Sequence, residues 1–199
     1  MTWCLEAFAA ADSIERIVIA APPGHEAEVE AIAGGAEVVT GAEARSASVA
    51  NALDRVETEL VAVHDAARPL VTAELIDAVI AKLRGRPDAA GVIAAAAVTD
   101  TVKRANEPRP AKGAFERGGP TVAKTESRDH LWAAQTPQAF RTEVLREALA
   151  ADPQQLAAAS DDATLVENAG GKVLIEPAPA SNLKVTTADD LRVAAALLG

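Results

Sequence analysis

LVAVHDAARPLVTAELIDAVIAKLRGRPDAAGVIAAAAV (residues 60–98) decides the fold class. Leu60–His64 is a short, β-branched apolar run that reads as a strand. Thr72–Leu83 carries apolar residues at helical spacing behind an N-cap threonine, and Gly91–Val98 is a second apolar strand. Upstream the alternation continues. Arg16–Ala21 (RIVIAA) reads as a buried strand ended by Pro22-Pro23-Gly24, His25–Ala33 as a helix, Glu37–Thr40 as a strand and Ser46–Val56 as a helix. Strands separated by helices of this length predict βαβ units, an α/β fold and a mostly parallel sheet. Ligands then bind beyond the carboxyl ends of the strands.

The alternation stops between Asp100 and Thr125, where Pro108, Pro110, Gly113, Gly118, Gly119 and Pro120 punctuate short polar segments. These predict a β-arm over about 100–127 that projects from the core. Beyond it come a short Leu131–Ala134 segment, a helix over Thr142–Ala150, a helix starting at Ser160 and a strand at Lys172–Ile175. The last helix, Thr187–Leu198, opens on Thr187-Ala-Asp-Asp190, which resembles a capping box. With no internal repeat and no linker, residues 1–199 read as one domain.

Composition removes several functions. Aromatic residues make up 3% of the chain and tyrosine is absent, so no base-stacking platform for single-stranded nucleic acid is expected. The formal charge of −10 opposes nucleic acid binding. Residues 100–128 depart from that balance, with seven basic and four acidic residues against 12 and 25 elsewhere. That patch suits a phosphorylated small molecule, or is a solvated loop. No apolar run is long enough to span a membrane, and the single Cys4 excludes an internal disulfide. A cytoplasmic setting is expected.

Asp65 and Arg68 follow a strand directly, on the ligand side of the sheet. Asp65 there suits a hard cation such as Mg²⁺, or it caps a strand-end turn and pairs with Arg68. Thr101, Arg128, Thr136 and Ser160 offer hydroxyls and a cation near helix or strand ends, Ser160 reading most simply as an N-cap. Lys184 lies in the apolar run Asn182–Thr186; it either faces an anion or points into water from an edge strand. His25, His64 and His130 lack the spacing of a zinc site. No serine elbow and no glycine-rich phosphate loop is present.

Taken together, HDAARP (64–69), DTVKR (100–104), LWAAQTPQAF (131–140), SDDATLVE (160–167) and NLKVTTADDL (182–191) resemble the 2-C-methyl-D-erythritol 4-phosphate cytidylyltransferases of the non-mevalonate isoprenoid pathway. The resemblance implies a Rossmann-like nucleotidyltransferase fold and a homodimer joined through its β-arms. It implies substrate contacts by Asp65, Arg68, Thr101, Thr136 and Ser160, and a magnesium or other divalent ion at Asp65. Arg128 and Lys184 become the catalytic cations that position the acceptor phosphate, Arg128 reaching across the dimer. Ala42, Glu43 and Ser48 fall where the family reads the cytosine base; Glu43 replaces an aspartate and Ala42 a glycine there.

The implied reaction transfers CMP from CTP to 2-C-methyl-D-erythritol 4-phosphate and releases pyrophosphate. The family opens with a strand and a glycine-rich loop that this sequence does not show, so the first strand of the sheet is expected to be missing and CTP binding by these residues alone to be weak. The alternatives are a ribitol 5-phosphate cytidylyltransferase, which shares the HDA-x-RP and QTPQ segments, and a non-catalytic dimeric module.

Overall fold

The computed structural model describes residues 1–107 and 119–199. The arm prolines at 108 and 110 and glycines at 113 and 118 lie outside the described residues. In chain order the elements are α1 (Thr2–Ala10), β1 (Val18–Ala21), α2 (Glu26–Glu30), β2 (Glu37–Thr40), α3 (Arg45–Leu53), β3 (Leu60–Val63), α4 (Ala73–Arg84) and β4 (Gly91–Ala97). They continue with β5 (Lys103–Ala105), β6 (Val122–Thr125), β7 (Trp132–Arg141), α5 (Thr142–Leu149), α6 (Pro153–Ala158), α7 (Asp162–Asn168), β8 (Val173–Pro177) and α8 (Ala188–Leu198).

The main sheet has the order β3-β7-β4-β8, and a separate parallel pair is formed by β1 and β2. Its strand β4 is buried from Gly91 to Ala96 because both faces are covered. Val92 and Ala94 face a cluster with Cys4, Phe8, Ile76, Val79, Ile80 and Leu83 from α1 and α4. Ile93, one residue out of phase, packs with Phe140, Leu53, Leu145 and Val166 on the other side. The period of two along the strand thus feeds two separate cores. Gly91 is required by one of them, since a Cβ there would lie 2.5 Å from Cδ1 of Phe140.

Three features correct the sequence reading. The sheet is mixed rather than mostly parallel: β7 runs antiparallel to both β3 and β4, while β4 and β8 are parallel. Only Leu131–Ala134 of β7 was legible, because a buried Pro137 ordinarily argues against a central strand. The structure accommodates it at a register shift, where Gln135–Pro137 oppose the single residue Ala94. Residues 182–186 form no strand, so Lys184 is not on a sheet edge. The N-cap of α7 is Asp161, whose carboxylate accepts from the Thr164 amide at 2.9 Å, and Ser160 precedes it.

Most of the remaining elements agree. Thr72 caps α4, and Thr187 with Asp190 forms a complete capping box on α8. The helix α2 is shorter than expected and runs out before Gly34 and Gly35, both at positive φ. Helix α6 had no equivalent in the sequence reading. The described part of the arm is an antiparallel ribbon, β5 with β6, all of it exposed.

Among the described residues, two strand edges have no strand partner. The strand β1 pairs only with β2, and β3 only with β7. Their other edges line one cavity of about 890 Å³. Accordingly Val18–Ala20 are half-buried, where the run Arg16–Ala21 was expected to be buried.

Candidate active site

Beyond Val63 the chain leaves the sheet through a tight turn closed by the Arg68 amide on the Asp65 carbonyl at 2.9 Å. A relay fixes this turn from below. The Asp65 amide donates to the Thr136 hydroxyl at 3.0 Å, that hydroxyl donates to Nδ1 of His64 at 3.0 Å, and Nε2 of His64 donates to the Arg68 carbonyl at 3.2 Å. This pattern uses neutral His64, and burial depresses its pKa from 6.5 to about 4. Thr136 is therefore a buried strut under Asp65, its hydroxyl engaged on both sides.

Three cations converge on the Asp65 carboxylate: Nζ of Lys184 at 3.0 Å, Nε of Arg45 at 3.3 Å and Nε of Arg68 at 3.9 Å. Burial pushes the Asp65 pKa up, but the Lys184 hydrogen bond and the Arg45 charge outweigh it and leave the group below its ordinary value. Asp65 is thus ionised at neutral pH. The Lys184 side chain, 44% exposed, remains able to meet a second anion from solvent.

Lys184 reaches this position because its loop is bolted to the sheet. Asn182 is buried and donates through Nδ2 to Oε1 of Gln135 at 2.8 Å and to the Thr136 carbonyl at 2.9 Å. Arg68 is buried too, and its Nη1 donates to the Asn182 carbonyl at 2.9 Å. The Val185 amide donates to the Ala67 carbonyl at 2.8 Å. In this structure Arg68 serves the loop more than the open face of the site.

One functional-looking residue, Arg45, escaped the sequence reading, and its partner Asp162 entered it only within the Ser160-Asp-Asp162 segment. Arg45 opens α3 and bridges Asp65 to Oδ2 of Asp162, at 2.8 Å. The Asp162 side chain is 1% exposed, its Oδ1 has no partner, and burial raises its pKa against the pull of Arg45. The available signal was the basic residue in the first turn of a helix, where the dipole disfavours it unless an outside acid compensates.

Ala42, Glu43 and Ser48 belong to the loop between β2 and α3 and to the start of that helix, beside Arg45. The Ala42 amide donates to Oγ of Ser48 at 2.9 Å, and that hydroxyl lies 3.1 Å from the carbonyls of Ala42 and Ala44. Gly41 lets this loop approach β1 closely, because a Cβ there would lie 2.8 Å from the Ala21 carbonyl. Glu43 is exposed at the loop tip.

Ser160 lies two residues before Asp162, with its hydroxyl 3.1 Å from that of Thr164. Thr101 and Arg128 are not brought to Asp65. Both are exposed at the base of the arm, where Arg128 donates to the Thr99 carbonyl. Among the described residues there is no cluster of three or more His, Cys, Asp or Glu able to hold a metal. A divalent ion at Asp65 would therefore take one carboxylate from the protein and complete its shell with water and phosphate oxygens, a donor set that suits Mg²⁺.

An ionised acid ringed by cations lies at the carboxyl edge of an α/β sheet, and the architecture is that of the Rossmann-like nucleotidyltransferases. The chain belongs to the family IspD: 2-C-methyl-D-erythritol 4-phosphate cytidylyltransferase, which matches it over residues 1–199.

A bifunctional enzyme IspD/IspF of Anaeromyxobacter dehalogenans is 42% identical over 196 residues, covering 96% of this chain and 47% of that protein. The chain thus spans about half the length of the bifunctional relatives it matches. A 2-C-methyl-D-erythritol 4-phosphate cytidylyltransferase of Bordetella petrii is 38% identical, covering 97% of this chain and 82% of its own. The crystal structure of the enzyme of that name from Thermus thermophilus superposes with a TM-score of 0.78 at 33% identity, covering 98% of this chain and 87% of that one.

Proposed function

We propose that the protein transfers CMP from CTP to 2-C-methyl-D-erythritol 4-phosphate. The observation that carries the reading is the convergence of Lys184 and Arg45 on Asp65 in a chain that the family matches throughout. An oxygen of the acceptor phosphate attacks the α-phosphorus of CTP, a new P–O bond forms, and the bond to the bridging oxygen of pyrophosphate breaks. Catalysis of this kind is positioning and charge stabilisation, so no covalent nucleophile is needed.

Lys184, half-exposed, meets the acceptor phosphate while its ion pair with Asp65 fixes its direction. A magnesium ion held by Asp65 would offset charge on the phosphates. Thr136, Arg68 and Asn182 hold Asp65 and Lys184 in register rather than touching substrate. Ala42, Glu43 and Ser48 supply the cytosine side, and Ser160 borders the site next to Asp162. The exposed arm pairs two copies, which brings Arg128 and Thr101 of one copy to the site of the other. Arm deletion is then expected to give monomers in sedimentation.

Among the described residues no helix is long and apolar enough to cross a membrane, which is compatible with the cytoplasmic setting we assign. The test is pyrophosphate release from CTP with two acceptors. 2-C-Methyl-D-erythritol 4-phosphate should be used about 10-fold or more faster than ribitol 5-phosphate, a difference of about 1.4 kcal/mol in transition-state binding. The reverse ratio would move the assignment to the ribitol enzyme, and release independent of either acceptor would remove it.

A further inference from the structure

Lys184, which meets the acceptor phosphate in the proposed reaction, stands in a stretch with neither helix nor strand, residues 178–187. Its backbone is nevertheless held before and after that lysine. Before it, the Asn182 side chain is bolted to Gln135 and Thr136; after it, the Val185 amide meets the Ala67 carbonyl at 2.8 Å. The chain then enters α8, where one carboxylate oxygen gathers three donors. Oδ2 of Asp190 accepts from the Thr186 amide at 3.0 Å, the Thr186 hydroxyl at 2.8 Å and the Thr187 amide at 2.8 Å.

The start of α8 needs only part of this. A capping box is complete when the N3 side chain takes the N-cap amide and the N-cap hydroxyl takes the N3 amide. The Thr187 amide on Asp190 and the Asp190 amide on the Thr187 hydroxyl, at 3.1 Å, already do so. The two bonds from Thr186 lie outside the helix and satisfy none of the amides that its first turn leaves open. Thr186 is exposed, and water would satisfy its amide and hydroxyl equally well; what the carboxylate adds is a fixed direction for the chain. The Thr186 amide, followed by its hydroxyl, leads the pull that brings the Asp190 pKa down to about 2, so the acceptor is a full carboxylate across the neutral range.

We propose that Asp190 is a positioning residue for Lys184: it fixes the exit of the loop at Thr186 and Thr187, as Asn182 fixes its entry, and so keeps the Lys184 ammonium beside Asp65 and open to the acceptor phosphate. The proposal rests on the reading that Lys184 meets that phosphate. A loop fixed mainly at its entry spreads over several positions, and its apparent affinity for a ligand falls by the fraction of time spent in the competent one.

The test compares Asp190→Ala, Asp190→Asn, Thr187→Ala and Lys184→Ala with the parent chain. Two quantities are read. One is the hydrogen-exchange rate of the Val185 amide by NMR. The other is the affinity for 2-C-methyl-D-erythritol 4-phosphate by calorimetry, with Mg²⁺ and a CTP analogue that cannot be cleaved between its α- and β-phosphates present. Asp190→Ala should speed Val185 exchange at least about 10-fold and weaken acceptor binding about 3- to 10-fold. Asp190→Asn keeps an acceptor oxygen and should bind within about 2-fold of the parent. Thr187→Ala removes the cap hydroxyl but leaves all three donors to Asp190. It should lower the melting temperature, as Asp190→Ala does, and leave both quantities at parent values.

Unchanged Val185 exchange in Asp190→Ala would overturn the proposal. An equal loss of affinity in Thr187→Ala would also overturn it, because the effect would then be one of helix stability. So would parent affinity in Asp190→Ala alongside weak binding by Lys184→Ala. Equal affinity of Lys184→Ala and the parent would instead overturn the reading of Lys184 and the proposal's bearing on the phosphate, while Val185 exchange still decides whether Asp190 fixes the loop.

Discussion

Arg45→Met isolates the ion pair that ties α3 to α7. The substitution keeps an apolar stem and removes the guanidinium that lies 2.8 Å from Oδ2 of Asp162. Asp162 is already at its limit, with a side chain 1% exposed and Oδ1 unpartnered. Without Arg45 it must either remain as an uncompensated buried charge or take up a proton. Protonating a carboxyl of ordinary pKa 3.8 at pH 7 costs about 4 kcal/mol, at about 1.4 kcal/mol per pH unit. That is a ceiling, because burial already raises this group.

The expected loss of stability at pH 7 is therefore about 2–4 kcal/mol, overlapping the range of about 3–5 kcal/mol for breaking a buried pair. In the variant, native Asp162 holds a proton that the unfolded chain releases, so its stability relative to the parent recovers as pH falls. At pH 5 the deficit should be smaller by up to about 2.7 kcal/mol. Arg45→Met combined with Asp162→Asn removes both charges and should return to within about 1 kcal/mol of the parent. Urea denaturation of the parent, both single variants and the double variant at the two pH values measures all of this. A loss for Arg45→Met below about 0.5 kcal/mol, or one independent of pH, would refute the reasoning.

Two further outcomes follow from the core and from the relay under Asp65. Gly91→Ala places a methyl group 2.5 Å from Cδ1 of Phe140, which is fully buried, so a loss of about 1–3 kcal/mol is expected in thermal or urea unfolding; an unchanged midpoint would show that the ring can move aside. His64 has a folded pKa depressed to about 4, so its contribution is complete above about pH 6.5 and is lost as pH falls toward 4. The span is up to about 3 kcal/mol, opposed by the raised pKa of Asp162, and His64→Gln should flatten the slope of urea stability against pH across this window. An identical slope in the variant would place the titration elsewhere.

The βαβ rhythm from Glu37 to Ala97 was legible because β-branched runs, an N-cap threonine and an amphipathic helix all point to one arrangement. The strand β7 was not. Its sequence WAAQTPQAFR holds one β-branched residue and a proline, and it is a strand because β3 and β4 flank it on both sides. The strand-like look of Asn182–Thr186 failed for the opposite reason. Its apolar residues are held in an irregular loop by Arg68, 114 residues away in sequence from the Asn182 carbonyl it meets, and by the buried Asn182 side chain on Gln135 and Thr136. Asp65 and Lys184 were candidates from their local settings, but their meeting at 3.0 Å follows from no spacing. Arg45 and Asp162 are a similar case, with Asp162 noted only as part of Ser160-Asp-Asp162 and Arg45 not at all, since only tertiary packing sets an acid behind a helix's first turn.

The most direct test of the site is calorimetric titration of 2-C-methyl-D-erythritol 4-phosphate, with Mg²⁺ and a CTP analogue that cannot be cleaved between its α- and β-phosphates present, into the parent chain and into Lys184→Ala. Lys184 is half-exposed and outside both hydrophobic clusters, so the variant should keep its fold. A charge-assisted contact to the acceptor phosphate contributes about 1.5–3 kcal/mol, so the account predicts saturable binding to the parent that weakens about 10- to 150-fold in the variant. Equal affinity in the two chains, or no binding to the parent, would contradict the assignment of the acceptor phosphate to the Asp65–Lys184 pair.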